Sequence, residues 1–147
     1  MKLVRESLNE MNFERRKDPF GALGIGQEQL IKDWLDEMGV DDYTINDDYT
    51  IDVNENINIS RRNLKKFPDY IQFDIISGYF LCHENYLVSL KGCPRIVKGK
   101  FWCNSNNLVS LDGCPKSVWY FDCSNNKTQF TEEYVRDMCQ VFNDVWI

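Results

Sequence analysis

Two stretches of the sequence match almost letter for letter: FLCHENYLVSLKGCP (residues 80–94) and FWCNSNNLVSLDGCP (residues 101–115), offset by 21 residues. A third copy, FDCSNNKTQF (residues 121–130), follows at an offset of 20 and then stops. A more divergent copy, INISRRNLKKFP (residues 57–68), precedes them. Self-similarity at a fixed period is typical of repeat proteins, in which each unit buries its apolar face only by stacking on its neighbours.

The repeat has the pattern apolar-x-apolar-x-x-Asn-x-Leu-x-x-Leu, and the spacing gives each residue type a place. Phe and Cys two residues apart indicate a short strand with one buried face. The Asn follows where the chain leaves the strand, and its amide is expected to bond backbone groups that the turn leaves unpaired. The leucines fill the interior, and a Gly-Cys-Pro corner turns the chain back. In the second copy these positions are Phe101, Cys103, Asn106, Leu108, Leu111, Gly113 and Pro115.

This pattern and its period resemble those of leucine-rich repeats. The units are similar to the "L-x-S-L-x-G-C-P" units of short leucine-rich-repeat-like proteins of tailed bacteriophages of gut bacteria. The resemblance covers residues 57–130, and more loosely MKLVRESLNE (1–10), LGIG (23–26) and FTEEYVR (130–136). It implies a solenoid and a phage context, and it supplies no catalytic residue. The sequence departs from the family pattern at Arg62, where Asn is expected, and at Thr128, where Leu is expected; end units of an array are often atypical.

We therefore predict an α/β fold: a short leucine-rich-repeat-like parallel β-solenoid of about three to four rungs with a cap at each end. Residues 1–26 form an N-terminal arm, 27–56 a cap of one helix and a hairpin, 57–130 the solenoid and 131–147 a helical C-terminal cap. Apolar residues at helical spacing predict the first helix over Gln27–Met38, ending at Gly39. The hairpin is expected to pair the alternating residues 49–53 with 57–59 across a turn at 54–56.

The C-terminal helix is expected to begin after Thr131, which can cap it, with Glu132 and Glu133 in the first turn. Its apolar residues are expected to close the last rung: Tyr134, Val135, Met138, Cys139 and Phe142.

The net charge of −6 is unevenly distributed. Residues 27–56 hold ten acidic and one basic residue, whereas residues 57–130 hold ten basic and five acidic residues. No apolar run is long enough to cross a membrane and no secretory signal is apparent, so we expect an intracellular protein. The resemblance to phage proteins implies that this location is the host cytoplasm or the virion. The acidic cluster at 41–52 is open to three interpretations: solvated charge on a hairpin, a patch that faces a partner, or a cation site. The last lacks the central Gly and terminal Glu of a calcium loop.

Cysteine recurs at two repeat positions, with Cys82, Cys103 and Cys123 at one and Cys93 and Cys114 at the other. The functional interpretation is a thiolate metal site or a disulfide stack. No Cys-x-x-Cys pair is present, and two ladders of small core residues explain the spacing better. No metal and no cofactor is therefore predicted. His83, the one histidine, has no catalytic arrangement around it and is expected to be exposed.

If Phe and Cys point inward, the residues between them point outward and form columns across neighbouring strands. Aromatic side chains on a rigid sheet have the composition of a protein-binding hot spot. The alternative is that the N-terminal arm or a second copy covers this face. The predicted partner-binding residues are Tyr79, Leu81, His83, Lys100, Trp102, Asn104, Tyr120 and Asp122.

The favoured function is thus a non-enzymatic, phage-encoded interaction module that presents this face to a host or phage protein. One alternative is a virion structural or cargo component that is incorporated through its arm. Another is nucleic-acid binding by the basic middle, which the overall negative charge disfavours. An enzyme is disfavoured because no phosphate-binding Gly loop, nucleophile elbow or metal-ligand spacing is present. The basic residues concerned are Arg61, Arg62, Lys65, Lys66, Lys91, Arg95, Lys98 and Lys100.

Overall fold

The computed structural model describes residues 26–147, so the predicted arm, apart from Gly26, lies outside the described residues. The chain divides into two compact units, one ending at Asp41 and the other comprising Asp42–Ile147. In the first unit, helix α1 covers Gln27–Glu37. Gly39 follows it with φ +79°, a conformation that favours Gly, which explains why the helix ends there. The predicted helix and its stop are confirmed.

The second unit is a parallel β-solenoid of about four turns. Its strands, in chain order, are β1 (Tyr43–Ile45), β2 (Ile51–Val53), β3 (Ile57–Asn58), β4 (Phe73–Ile76), β5 (Phe80–Leu81), β6 (Ile96–Val97), β7 (Lys100–Trp102), β8 (Ser117–Val118), β9 (Tyr120–Asp122), β10 (Gln140–Val141) and β11 (Val145–Trp146). Sheet A has the order β1-β2-β4-β6-β8-β10, and sheet B has the order β3-β5-β7-β9-β11. Each turn therefore contributes one strand to each sheet. The sheet A strands β4, β6, β8 and β10 were not predicted from the sequence.

Sheet B contains the predicted repeat strands in the predicted register. Phe80 pairs with Phe101, and Phe101 with Phe121, across parallel neighbours. These three rings are fully buried, with centroids 5.9 and 5.2 Å apart. All six cysteines are buried and free of disulfides, as the core-ladder interpretation requires. The interior is thus a column of Phe rings flanked by thiols, which pack as small apolar groups.

A ladder of Asn side chains closes the turns after β5, β7 and β9 of sheet B. The amide of Asn106 accepts a hydrogen bond from the Leu87 N–H (2.9 Å) and donates to the carbonyls of Cys82 and Cys103 (both 3.1 Å). Asn85 and Asn126 make equivalent bonds one turn before and one turn after. The predicted role of these amides is confirmed: they bond backbone groups that lack a ladder partner.

The Gly-Cys-Pro corners also occupy their predicted places. Gly92 and Gly113 have φ of +99° and +90°, where a side chain is strained. A Cβ on Gly113 would lie 2.7 Å from the Leu90 carbonyl carbon in the turn below. The corner therefore needs Gly for both its backbone conformation and its close approach to the neighbouring turn.

The predicted hairpin is wrong, because residues 49–53 do not pair with residues 57–59. β2 pairs antiparallel with β1, with Tyr43 opposite Val53, whereas β3 joins the other sheet by pairing parallel with β5. The first turn therefore takes its sheet A strand from residues 51–53 and its sheet B strand from residues 57–58. The turn at 54–56 is a corner of the solenoid, and local alternation cannot distinguish such a corner from a hairpin.

The C-terminal helix is shorter than predicted and is not the end of the array. Helix α2 covers Glu132–Met138, capped by Thr131, which accepts a hydrogen bond from the Tyr134 N–H. The chain then extends both sheets, since β10 pairs with β8 and β11 with β9. Phe142, predicted to help close the last rung, is 57% exposed. Neither helix of the described chain has the length and apolar character needed to span a bilayer.

Candidate binding surface on sheet B

The outward side chains of sheet B stand in the predicted columns. Leu81, Trp102 and Asp122 are register partners on β5, β7 and β9, and Lys100 pairs with Tyr120. The inward side chains between them are buried, so the predicted direction of the two sets is correct. The short parallel strands and the packed Phe column beneath hold these side chains at fixed separations.

The face is less exposed than predicted. Only Lys100 is exposed among the eight predicted residues, and the other seven are half-buried. His83, expected to be exposed, lies edge-on to the Trp102 ring with centroids 5.5 Å apart. The outward side chains are shielded because they are aligned across adjacent strands, so a large ring on one strand covers its neighbours on the next.

Three polar atoms on this face are shielded from water and lack a hydrogen-bond partner within the part of the chain that the structure describes. They are His83 Nδ1, Trp102 Nε1 and Asn104 Oδ1. Buried polar atoms are nearly always paired in folded proteins, and leaving one unpaired costs about 1–3 kcal/mol. Three such atoms close together on one face therefore identify a locally unsatisfied surface.

The charges around these atoms are modest. The Lys100 ammonium lies 5.0 Å from the centroid of the Trp102 ring, within range of a cation–π interaction. Burial lowers the pKa of His83, with opposing effects from Glu84 and Arg61, so the imidazole is neutral at neutral pH. A neutral imidazole has one donor and one acceptor nitrogen. With the Trp102 N–H donor and the Asn104 acceptor, the face contains unpaired groups of both kinds.

Sequence reasoning missed a second exposed surface, which we call the aromatic strip. It contains Phe142, Trp119, Tyr120 and Trp146, with successive ring centroids 6.2, 6.4 and 5.5 Å apart. Phe142, Trp119 and Trp146 are 57%, 45% and 44% exposed. Only Tyr120 was among the predicted site residues. The available signal was Trp119, which stands where the two preceding copies have Gly78 and Gly99.

The chain was compared with known proteins. No family model, curated protein or solved structure matches it.

Three of the ten basic residues between residues 57 and 130 form ion pairs with neighbouring carboxylates. Arg61 pairs with Glu84, Arg95 with Asp74 (2.7 Å), and Lys66 with Asp69 (3.4 Å). These carboxylates partly neutralise the cations that would contact phosphate groups, which weakens the case for nucleic-acid binding.

The thiols are poorly suited to act as nucleophiles. Cys93 and Cys114 line a groove of about 520 Å³ along the Gly-Cys-Pro corners. Burial raises the pKa of Cys114 to about 11 and that of Cys93 well above its usual value, so both are protonated at neutral pH. The reactive form of cysteine is the thiolate. Within residues 26–147, no group of three or more His, Cys, Asp or Glu side chains is placed to hold a metal ion.

Proposed function

We propose that the chain is a non-enzymatic protein-interaction module, related to the phage leucine-rich-repeat-like proteins, that binds a host or phage protein in the host cytoplasm. Its binding surface is the outward face of sheet B, with Trp102 at the centre. The contact residues are Tyr79, Leu81, His83, Lys100, Trp102, Asn104, Tyr120 and Asp122.

The observation that carries the proposal is the set of three shielded, unpartnered atoms at His83, Trp102 and Asn104. A peptide group of a partner has the complementary functions, since its carbonyl accepts from Trp102 Nε1 and its N–H donates to Asn104 Oδ1. An atom that water cannot touch is equally out of reach of a partner's polar atom, so a rotation of the His83 or Trp102 side chain must accompany binding. That rotation breaks no hydrogen bond of the unpartnered atoms, and the new bonds satisfy groups that the free protein leaves unpaired.

The surroundings of these atoms also suit a protein partner. Tyr120, Trp102 and Leu81 supply apolar area next to the polar atoms, which is the mixture found at the centres of interfaces. They stand on strands with a packed core beneath, so little side-chain entropy is lost on binding.

The test begins with affinity purification of the tagged full chain from phage-infected host cells, with partners identified by mass spectrometry. Trp102→Ala combined with Tyr120→Ala should abolish capture, because two central aromatic contacts together account for more than about 4 kcal/mol. Tyr86→Ala is the matched control, since Tyr86 is 53% exposed and lies outside the face. Equal capture by the double variant and the wild type would refute the proposal.

Trp102→Phe gives a sharper test, because it keeps a ring and removes only the N–H. Affinity for the captured partner, measured by calorimetry, should fall about 5- to 30-fold through loss of one hydrogen bond. The stability of the free chain should not fall, since the deleted donor has no partner there. A variant that loses stability and keeps its affinity would assign Trp102 a structural role only.

A further inference from the structure

We infer that the sheet B edge at β11 is a self-association surface, at which two copies of the chain pair edge to edge about a two-fold axis. The inference does not depend on the proposed function. It depends on the outer edge of β11, which pairs with no strand within residues 26–147, and on the aromatic strip beside it.

Only one side of the β11 backbone forms hydrogen bonds within the described residues. The carbonyls of Asp144 and Trp146 accept hydrogen bonds from the N–H groups of Phe121 and Cys123 on β9 (3.1 and 2.9 Å). Since alternate residues of a strand face opposite neighbours, the N–H and C=O of Val145 face the open side. An open edge of this kind is a template for another strand.

The edge of sheet A at β10 is protected by a side chain, unlike the edge of sheet B at β11. Arg136 of α2 donates to the carbonyls of Val141 and Asn143, both at 2.8 Å, and its position is held by Glu132. No described side chain donates in this way to the Val145 carbonyl. The inward column is also incompletely covered at this end, because Val145 is half-buried whereas its register partner Phe121 is fully buried.

A second copy has the matching chemistry. When two identical edges meet antiparallel, each Val145 N–H lies opposite the Val145 C=O of the other copy, so both groups are satisfied by symmetry. The same geometry brings two aromatic strips to one interface and covers both open ends of the apolar column.

The exposed area is sufficient for a moderate dimer. Phe142, Trp119, Trp146 and Ile147 are 44–57% exposed. With roughly 200 Å² for each large side chain, they offer about 400 Å² of apolar surface per copy. A standard interface buries about 800 Å² per partner, of which somewhat more than half is apolar. These four side chains together therefore offer most of the required apolar area. In this register Asp144 lies opposite Trp146 of the other copy, so no like charges are directly opposed and the pairing should depend little on salt.

The experiment is sedimentation velocity of the full chain from about 5 to 300 μM, at low and high salt. The mass is expected to rise from that of the 17.4 kDa monomer to twice that value and no further, with a dimer fraction that changes little between low and high salt. Phe142→Lys, and separately Val145→Pro, should weaken association at least tenfold. Val109→Lys is the matched control, because Val109 is 65% exposed elsewhere on the solenoid. Circular dichroism verifies that each variant is folded.

Three results would overturn the inference: a wild type that stays monomeric throughout, a dimer that neither variant weakens, or masses that increase beyond two copies, as head-to-tail stacking would produce. The Phe142→Lys variant should still capture the partner bound by the sheet B face. The failure of one proposal can therefore be distinguished from the failure of the other.

Discussion

Replacing Asn106 with Ala tests whether the buried Asn ladder stabilises the solenoid. Asn106 is 7% exposed, and its Oδ1 is the acceptor for the Leu87 N–H at 2.9 Å. Leu87 is fully buried, so water does not replace the lost acceptor without local opening. An unsatisfied buried N–H costs about 1–3 kcal/mol.

The donor side of the same amide contributes less. Its Nδ2 bonds the carbonyls of Cys82 and Cys103, but each keeps a second donor, from Asn85 (3.1 Å) and Asn126 (3.2 Å) respectively. Losing one of two donors costs about 0.5 kcal/mol at each carbonyl. The total expected loss in the free energy of unfolding is therefore about 2–4 kcal/mol, a large fraction of a typical domain's stability.

The assay is urea unfolding followed by circular dichroism, with the slope of the transition compared between variants to verify that cooperativity is retained. Asn107→Ala is the control, because Asn107 adjoins Asn106 in the same turn and should cost under about 0.5 kcal/mol. Asn126→Ala should be intermediate, since that side chain is half-exposed and water can replace part of its bonding. If Asn106→Ala cost no more than Asn107→Ala, the amide ladder would not be a source of stability.

Three further predictions concern the corner, the core and the thiols. Gly113→Ala should cost about 2–3 kcal/mol in urea unfolding, because φ is +90° and the added Cβ meets the Leu90 carbonyl carbon at 2.7 Å; a neutral effect would contradict the close approach of the turns. Phe101→Ala should cost about 3–5 kcal/mol in the same measurement, since the ring is fully buried between two others; a loss below about 1 kcal/mol would show that the column repacks freely. Burial raises the pKa of Cys114 to about 11 and those of Cys123 and Cys139 to about 12. Thiols in the unfolded chain have a pKa of about 8.5, so above that pH their ionisation favours the unfolded state. The urea midpoint should therefore fall between about pH 8.5 and 11, less steeply in Cys114→Ala, and a flat profile would contradict buried thiols.

Part of the candidate site could be predicted from the sequence, because alternation along a strand decides which side chains point outward. The directions of Leu81, Trp102 and Asp122 and their alignment in one column follow from a period of about 21 residues. Their degree of burial does not follow, since it depends on the size of the neighbour one turn away. The three unpartnered atoms were not predictable for the same reason, because Trp102 must lie against His83 before either atom is shielded.

Several elements of the fold also could not be predicted from local sequence patterns. Strands β6, β8 and β10 have two residues each, too few for any alternation to be recognised. The parallel partner of β3 lies 23 residues away at Phe80, so nothing near Ile57 indicates which sheet it joins. The helix prediction extended past Met138 because Cys139 and Phe142 also have helical spacing, whereas pairing with β8 places residues 140–141 in a strand.

By itself the sequence determined the repeating unit: buried Phe and Cys in the strand, an Asn that bonds the turn and Gly at the corner. These features depend on side-chain spacing and backbone conformation within a single turn of about 21 residues, and the two complete copies share all of them. Only the tertiary structure decided that each turn forms two strands, that α2 lies within the array, and that the aromatic strip is left exposed beside an open edge. Those outcomes depend on contacts between turns, where one chain segment completes the hydrogen bonds and covers the apolar surface of another.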